Sequence, residues 1–427
     1  MGKCVYSAPL VSLSFVLFSA SALAQTSTAQ TYSIAVLGNL GGGSTYGTAL
    51  NNKGQVTGFS STTGGATYDP FLTGINGEGI TDLGNIGGYT LGYGVNDIGQ
   101  VVGYGQPAAY YNGQAFITGP NGSRITPIGT LTTGTYSRAT GINNSGQVAG
   151  YIGNSSTNTD SAFITGPNGV GFTALGTLGG DSSTANAING SGQVVGDAVT
   201  AGFTDDAFIT GVNGTSMQDL AVGPDSATFA VNNSGQAAGT VATPGNGSDA
   251  FLSAPNGGPS VNLGSIGGAN ASAFGVSNTG QVVGWAQIAS GTYDAFVFSN
   301  GSMVDLNSLV KLADGAYLTQ ATAINDRNQI VAQGSDGLSY LLSPPIRQQL
   351  AAVLAVATSA GAGNGILGKW EQAQDYYAAH DVRDACRMLN AVAVDSKALS
   401  GKTPSLSLSR ELAADAEGLA GALNCSD

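Results

Sequence analysis

Apolar strand-like runs and polar turns alternate along residues 32–343 with a long, nearly fixed period. Seven near-copies of one stretch set that period: LNNKGQVTGF at 50–59, VNDIGQVVGY at 95–104, INNSGQVAGY at 142–151, INGSGQVVGD at 188–197, VNNSGQAAGT at 231–240, VSNTGQVVGW at 276–285 and INDRNQIVAQ at 324–333. The glutamines Gln55, Gln100, Gln147, Gln193, Gln236, Gln281 and Gln329 are 45, 47, 46, 43, 45 and 48 residues apart. A Phe follows in six copies (Phe71, Phe116, Phe163, Phe208, Phe251 and Phe296), with Tyr340 in the seventh. A third marker, LGNLGG at 37–42, LGNIGG at 83–88, LGTLGG at 175–180 and LGSIGG at 263–268, precedes several repeats. A period near 45 residues marks a propeller or a solenoid.

Each repeat reads as four short strands. In the fourth copy these are Asn186 to Ile188, Gln193 to Asp197, Ala207 to Thr210 and Met217 to Leu220. Strands three and four are joined by Asn-Gly, as in Asn213-Gly214 and Asn300-Gly301, a strong hairpin signal. YSIAVLG at 32–38 matches a fourth strand with no first three before it, and SYLLS at 339–343 matches a third strand with no fourth after it. One can complete the other and remove two exposed sheet edges. The expected fold is an all-β seven-bladed β-propeller over 25–344, closed by the N-terminal strand, followed by a small all-α C-terminal domain over 345–427.

Comparing the copies assigns roles within the turn. The first position is Asn in six copies and Ser277 in one; both side chains accept from the backbone two residues on. The fourth is Gly in six and Asn328 in one, the residue types that best tolerate positive φ. The Val-x-Gly after Gln suits an inner strand where backbones approach closely. The glutamines either ring the channel or tie adjacent blades, and the need of a buried amide for partners favours the tie. The repeated motif is therefore scaffold on the short-turn rim, away from a ligand.

These repeats resemble the HAF repeats of bacterial extracellular proteins, named for a His-Ala-Phe triplet ahead of an LGxLGG-type motif. The resemblance covers roughly 32–343 and implies a secreted repeat protein without an assigned reaction. The triplet here reads Asp206-Ala207-Phe208, Asp249-Ala250-Phe251 and Asp294-Ala295-Phe296, with no histidine, so no role of the family histidine carries over.

Composition narrows the setting. Lys3, an apolar run from Val5 to Ala20 and Ala22-Leu23-Ala24 read as a signal peptide over 1–24, leaving Gln25 first in an exported chain with no membrane span. Only 9% of residues are charged and 67 are glycine. Residues 25–344 hold 5 basic and 17 acidic side chains, too few cations to neutralise phosphates, so nucleic acid is not an expected partner. Cys386 and Cys425, once Cys4 leaves with the signal, make an even pair for one disulfide.

Binding residues are expected on the opposite, long-connection rim, where loops vary. The candidates are Tyr104, Tyr110, Tyr111, Tyr136, Trp285 and Tyr293, with Asp69, Asp206, Asp249 and Asp294 before the Phe positions. Aromatic rings in a weakly charged setting suit polysaccharide or an extracytoplasmic protein; covering blade ends and starting strands is the plainer role of the same residues. No catalytic residue, metal site or cofactor is assigned: His380, the one histidine, lies in the C-terminal segment. The leading function is non-enzymatic binding or surface interaction. The alternative is a polysaccharide hydrolase or lyase using acids on the long-connection face.

After Pro344-Pro345 the period becomes helical, with Leu350, Val353, Leu354 and Ala357 in step and further helices over 366–379, 381–398 and 408–423, Asp381 capping one. GNGILG at 363–368 reads as an inter-helix loop, since no strand precedes it. With ACRMLNAVAV, SGK and a terminal NC, the segment resembles FIMAH-type helical modules, which implies an accessory or anchoring role.

Overall fold

The computed structural model describes residues 32–65, 67–106, 113–129, 135–245, 247–399 and 406–425. The signal-peptide segment, Tyr110 and Tyr111 lie outside them. Strands of the β-propeller type fill the chain up to Ser343, and four helices follow. The strands form five four-stranded sheets and one eight-stranded sheet. The eight-stranded sheet is two four-stranded halves joined by one parallel contact, Ser248 to Asn270. In the seventh repeat the outer strand is Ser33–Val36, which pairs antiparallel with Ser339–Ser343.

The innermost strands are Gly41–Leu50, Thr90–Val95, Thr135–Ile142, Gly179–Ile188, Ser226–Val231, Gly267–Val276 and Leu318–Ile324. In the fourth repeat the strand starts at Gly179, not at Asn186 as the pattern predicts. The left-handed Gly179 (φ 106°) pairs with Thr200, and an irregularity before Ser183 lets the strand continue inward.

The turn after each inner strand is held as its residue types require. Asn143 Oδ1 accepts from Ser145 N at 3.0 Å and Gln147 N at 3.0 Å, and Gly146 has φ 81°. Asn328 takes the glycine position at φ 56°. The outer turns are Asn-Gly with both residues left-handed, as at Asn213 (φ 54°) and Gly214 (φ 72°), which matches a type I′ hairpin. The glycine of Val-x-Gly is forced by proximity: a Cβ on Gly196 would lie 1.9 Å from Thr184 O, and one on Gly103 1.9 Å from Leu91 O. Phe71, Phe116, Phe163, Phe208, Phe251 and Phe296 are all buried, each on the third strand of its repeat.

The turn asparagines also tie the repeats together. Asn325 Nδ2 donates to Asn51 O (3.0 Å), Asn51 to Asn96 O (3.0 Å), and Asn96 to Asn143 O (3.2 Å). The series continues from Asn143 to Asn189 O (3.0 Å), Asn189 to Asn232 O (2.9 Å) and Asn232 to Ser277 O (3.0 Å). Ser277 has no amide with which to reach Asn325. The glutamines extend the same tie outward. Gln147 Nε2 donates to Asn213 Oδ1 (3.2 Å) and Gln193 Nε2 to Asn256 Oδ1 (3.1 Å), each in the outer turn of the next repeat. Gln100, Gln147, Gln193 and Gln329 join neighbouring repeats in this way, and none of the seven glutamines is among the residues lining the central cavity.

In the C-terminal domain, α1 spans Ile346–Ser359, α2 Asn364–Ala378, α3 Val382–Ala398 and α4 Leu406–Ala422. GNGILG forms the first turn of α2 and is not a loop; Gly363 is the N-cap residue. Asp381 caps α3 by accepting from Asp384 N at 3.0 Å. Leu350, Val353, Ile366, Trp370, Leu389, Val392, Leu412 and Leu419 make the core. Cys386 and Cys425 are disulfide-bonded, with Cα atoms 5.5 Å apart, fixing the end of α4 to α3.

Two substitutions test the asparagine series by chemical denaturation. Asn189→Ala removes bonds to Ser191 N, Gln193 N, Gln193 Oε1 and Asn232 O, and is expected to cost about 2–4 kcal/mol. Ser277→Asn supplies the missing donor and is expected to gain about 1 kcal/mol.

Candidate functional site

Side chains of the seven inner strands alternate between the sheets and a central cavity of about 530 Å³. Its lining falls into layers that follow the two-residue period of a strand. Nearest the short turns is a collar of seven aliphatics: Leu50, Val95, Ile142, Ile188, Val231, Val276 and Ile324. Two residues up each strand stand Thr48, Tyr93, Thr140, Asn186, Phe229, Phe274 and Thr322. The next layer contributes Tyr46, Arg138 and Gln320.

Four residues of the middle layer are pins between repeats. Thr48 Oγ1 donates to Gly92 O (2.9 Å), Thr140 to Ala185 O (2.8 Å), Thr322 to Gly47 O (2.8 Å), and Asn186 Nδ2 to Thr228 O (2.9 Å). The other three positions are aromatic. Phe229 and Phe274 lean together with ring centres 5.3 Å apart, and Tyr93 stands beside Arg138. Scaffold gives way to ring faces turned into the cavity.

The Arg138 guanidinium lies 5.0 Å from the Tyr104 ring centre, 5.4 Å from Tyr93 and 5.8 Å from Tyr151, within cation–π range of each. Its Nε is buried without a hydrogen-bond partner. Burial raises the phenol pKa of Tyr93 and Tyr151, and Arg138 pulls the other way. Tyr104 is pushed up to about 12 by burial, then by Tyr89. Tyr136 is also raised to about 12, by burial and by the bond its hydroxyl donates to Asp160 at 2.8 Å. These phenols stay protonated at neutral pH. Asp197, raised by burial, accepts from Thr184 Oγ1 (2.9 Å) and Asn186 Nδ2 (3.2 Å).

Of the residues singled out from the sequence, Tyr104 joins the Arg138 cage and Tyr136 packs edge-on to Tyr151. Trp285 and Tyr293 pair edge-to-face at 4.8 Å in the sixth repeat, outside the cavity lining. The four aspartates do not gather: they sit on the third strands of four different repeats. Asp69 accepts from Asn85 Nδ2 (3.1 Å) and Asp249 from Asn262 Nδ2 (2.5 Å). Asp294 is nearly buried, and burial raises its pKa. Among the described residues no group of three or more His, Cys, Asp or Glu is arranged to hold a metal ion. Arg138, Tyr93, Phe229 and Phe274 lie outside the repeated motif, at positions three and five residues before the turn Asn, while Tyr151 ends the motif's third copy.

The short-turn rim is covered rather than free. A second chamber of about 190 Å³, below the aliphatic collar, is lined by the turn asparagines with Asp97, Asp326 and, from α4, Glu411. Glu411 accepts from Asn233 Nδ2 (2.8 Å) and Ser407 Oγ (3.0 Å), and Asn76 Nδ2 donates to Gly418 O (3.0 Å). Glu417 pairs with Lys53 at 2.8 Å and Lys397 at 2.5 Å; burial raises its pKa but the two ammonium groups outweigh it. Arg327, fully buried, donates to Asn76 Oδ1 (2.9 Å) and to Gln349 Oε1 of α1 (3.3 Å). Burial raises Glu411 to about 8 and Asp97 to about 6, and drives Asp415 well up.

No family model and no curated protein sequence matches the chain. Solved structures align with the chain only distantly. TolB from Acinetobacter baumannii aligns at a TM-score of 0.42 and 9% identity over 68% of this chain and 64% of that one. YCF48 bound to D1 peptide gives 0.45 and 12% over 75% and 99%. The β-propeller domain of the trilobed protease from Pyrococcus furiosus gives 0.43 and 10% over 64% and 83%. Among the described residues no helix is long and apolar enough to cross a membrane.

The buried acids give docking of the helices a pH dependence. Between the ordinary Glu pKa of 4.5 and about 8 the docked state holds more protons than the undocked state, so docking weakens as pH rises through that window and levels off above it. Thermal melts from pH 5 to 8.5 are expected to fall by on the order of 5 °C, with a flatter profile for Glu411→Gln.

Proposed function

We propose that the chain is an exported, non-enzymatic binding protein of the HAF-repeat type, a seven-bladed propeller closed by Ser33–Val36, whose ligand enters the central cavity from the long-connection side. The observation that carries this reading is the break in the repeat at the middle layer, where Tyr93, Phe229 and Phe274 replace inter-repeat pins and face the cavity. A scaffold gains nothing from losing three such bonds; a stacking or apolar partner does. The described residues leave this end open, whereas α4 lies across the other. The ligand is a polysaccharide or extracytoplasmic protein offering a chain end, since a chain passing through would meet α4.

Binding fits the chemistry better than hydrolysis or elimination. The acids Asp69, Asp206, Asp249 and Asp294 are dispersed, and the cavity phenols are held protonated, so no tyrosinate base stands ready at neutral pH. Mature protein is to be tested for retention by cell-wall and capsule polysaccharides and by extracytoplasmic proteins, with release of new chain ends scored in parallel. Retention without cleavage is expected, weakened about ten-fold or more by Phe229→Ala with Phe274→Ala. Retention unchanged in that double variant removes the cavity from binding, and new unsaturated or reducing ends establish the lyase or hydrolase alternative.

A further inference from the structure

We infer that the central cavity recognises a single carboxylate carried at the end of an apolar, ring-bearing body, with Arg138 as the carboxylate's partner; this rests on the binding role proposed above. Among the described residues lining the cavity, Arg138 is the one cation. Three tyrosine faces hold its guanidinium in place, yet they satisfy none of its five donors. Its Nε is buried and unpartnered, and among the described residues no ion pair engages it. The carboxylates nearby are occupied, Asp160 by the Tyr136 hydroxyl and Asp197 by Thr184 and Asn186. A guanidinium fixed by ring faces with its donor fork unspent is arranged for a planar anion.

The rest of the cavity defines what carries that anion. Phe229 and Phe274 stand two and three repeats further round, and the collar of seven aliphatics lies beneath. A ring or apolar side chain descending from a carboxylate at Arg138 meets those surfaces. A second carboxylate placed deeper would pass the collar and meet Asp97, Asp326 and Glu411. A polyuronate, acidic along its whole length, therefore fits poorly. A chain end finishing in an aromatic residue and a free aromatic acid share the fitting chemistry.

The mature full-length protein is titrated calorimetrically with a pentapeptide ending in Phe as the free acid, the same peptide as its C-terminal amide, 3-phenylpropionate and hexagalacturonate. The free-acid peptide is expected to bind about ten-fold or more tightly than the amide. Arg138→Gln is expected to erase that difference, and Arg138→Lys to restore part of it. 3-Phenylpropionate binding as tightly as the peptide identifies a free acid as the source, and a tighter peptide identifies a chain end; either supports the assignment. Acid and amide bound equally, or hexagalacturonate bound more tightly than the aromatic acids, overturns it while the binding role stands. Wild type that binds none of the four also overturns it, and the binding role is then decided by the retention test alone. The acid-to-amide comparison needs no variant, so it survives a misfolded Arg138→Gln.

Discussion

One asparagine amide, reaching from a turn to the carbonyl of the next turn, is the bond on which this architecture depends. The same side chain closes its own turn with its oxygen and passes its nitrogen to the neighbour, so local conformation and the packing of repeats are set by one residue. That double duty leaves little room for substitution. Alanine loses both functions, aspartate has no donor, and serine keeps only the first. The glutamine four residues on accepts from that nitrogen and extends the tie to the outer turn of the next repeat. With the inner strands positioned this way, the alternating side chains must converge on one axis, and a central cavity follows from geometry rather than from any special sequence.

Much of this is legible in the chain because the repeats act as an internal comparison. Asn-x-x-Gly announces its turn through an acceptor side chain and a residue with positive φ, and Gly103 and Gly196 announce the close contact that excludes a Cβ. The helical period after Pro344 is equally plain, and Asp381 caps as its type demands. The start of the inner strand at Gly179 is less legible, since a glycine pair reads as a loop until its partner Thr200 is known.

The cavity is harder to read for a related reason. A motif draws attention to what is shared, whereas ligand chemistry lies in what differs among copies. Arg138 sits at a position held elsewhere by Tyr46, Leu91, Thr184, Ala227, Ser272 and Gln320, so it belongs to no pattern. Tyr136 shares a strand face with that arginine two residues on, but that Tyr104 comes near it while Trp285 does not depends on which repeats stand side by side. The covered rim was hidden too. Glu411 and Asp415, one turn apart on α4, lie far in sequence from Arg327, and only the docking of α4 makes their burial mutual.

The single serine in the asparagine series gives the ring a seam. Six junctions share the same amide link; the seventh, between Ser277 and Asn325, lacks it and relies on the neighbouring bonds from Asn278 to the Asp326 carboxylate (3.0 Å) and from Thr279 to Asn328 (3.2 Å). A series of equal links has no preferred place to part, whereas one with a single different junction does. Beside the seam stands the repeat that also carries the joined terminal strand and Arg327, the anchor of α1. The helical domain, bonded to the first, third, fifth and seventh repeats, thus acts as a clasp across the whole rim and not at the seam alone.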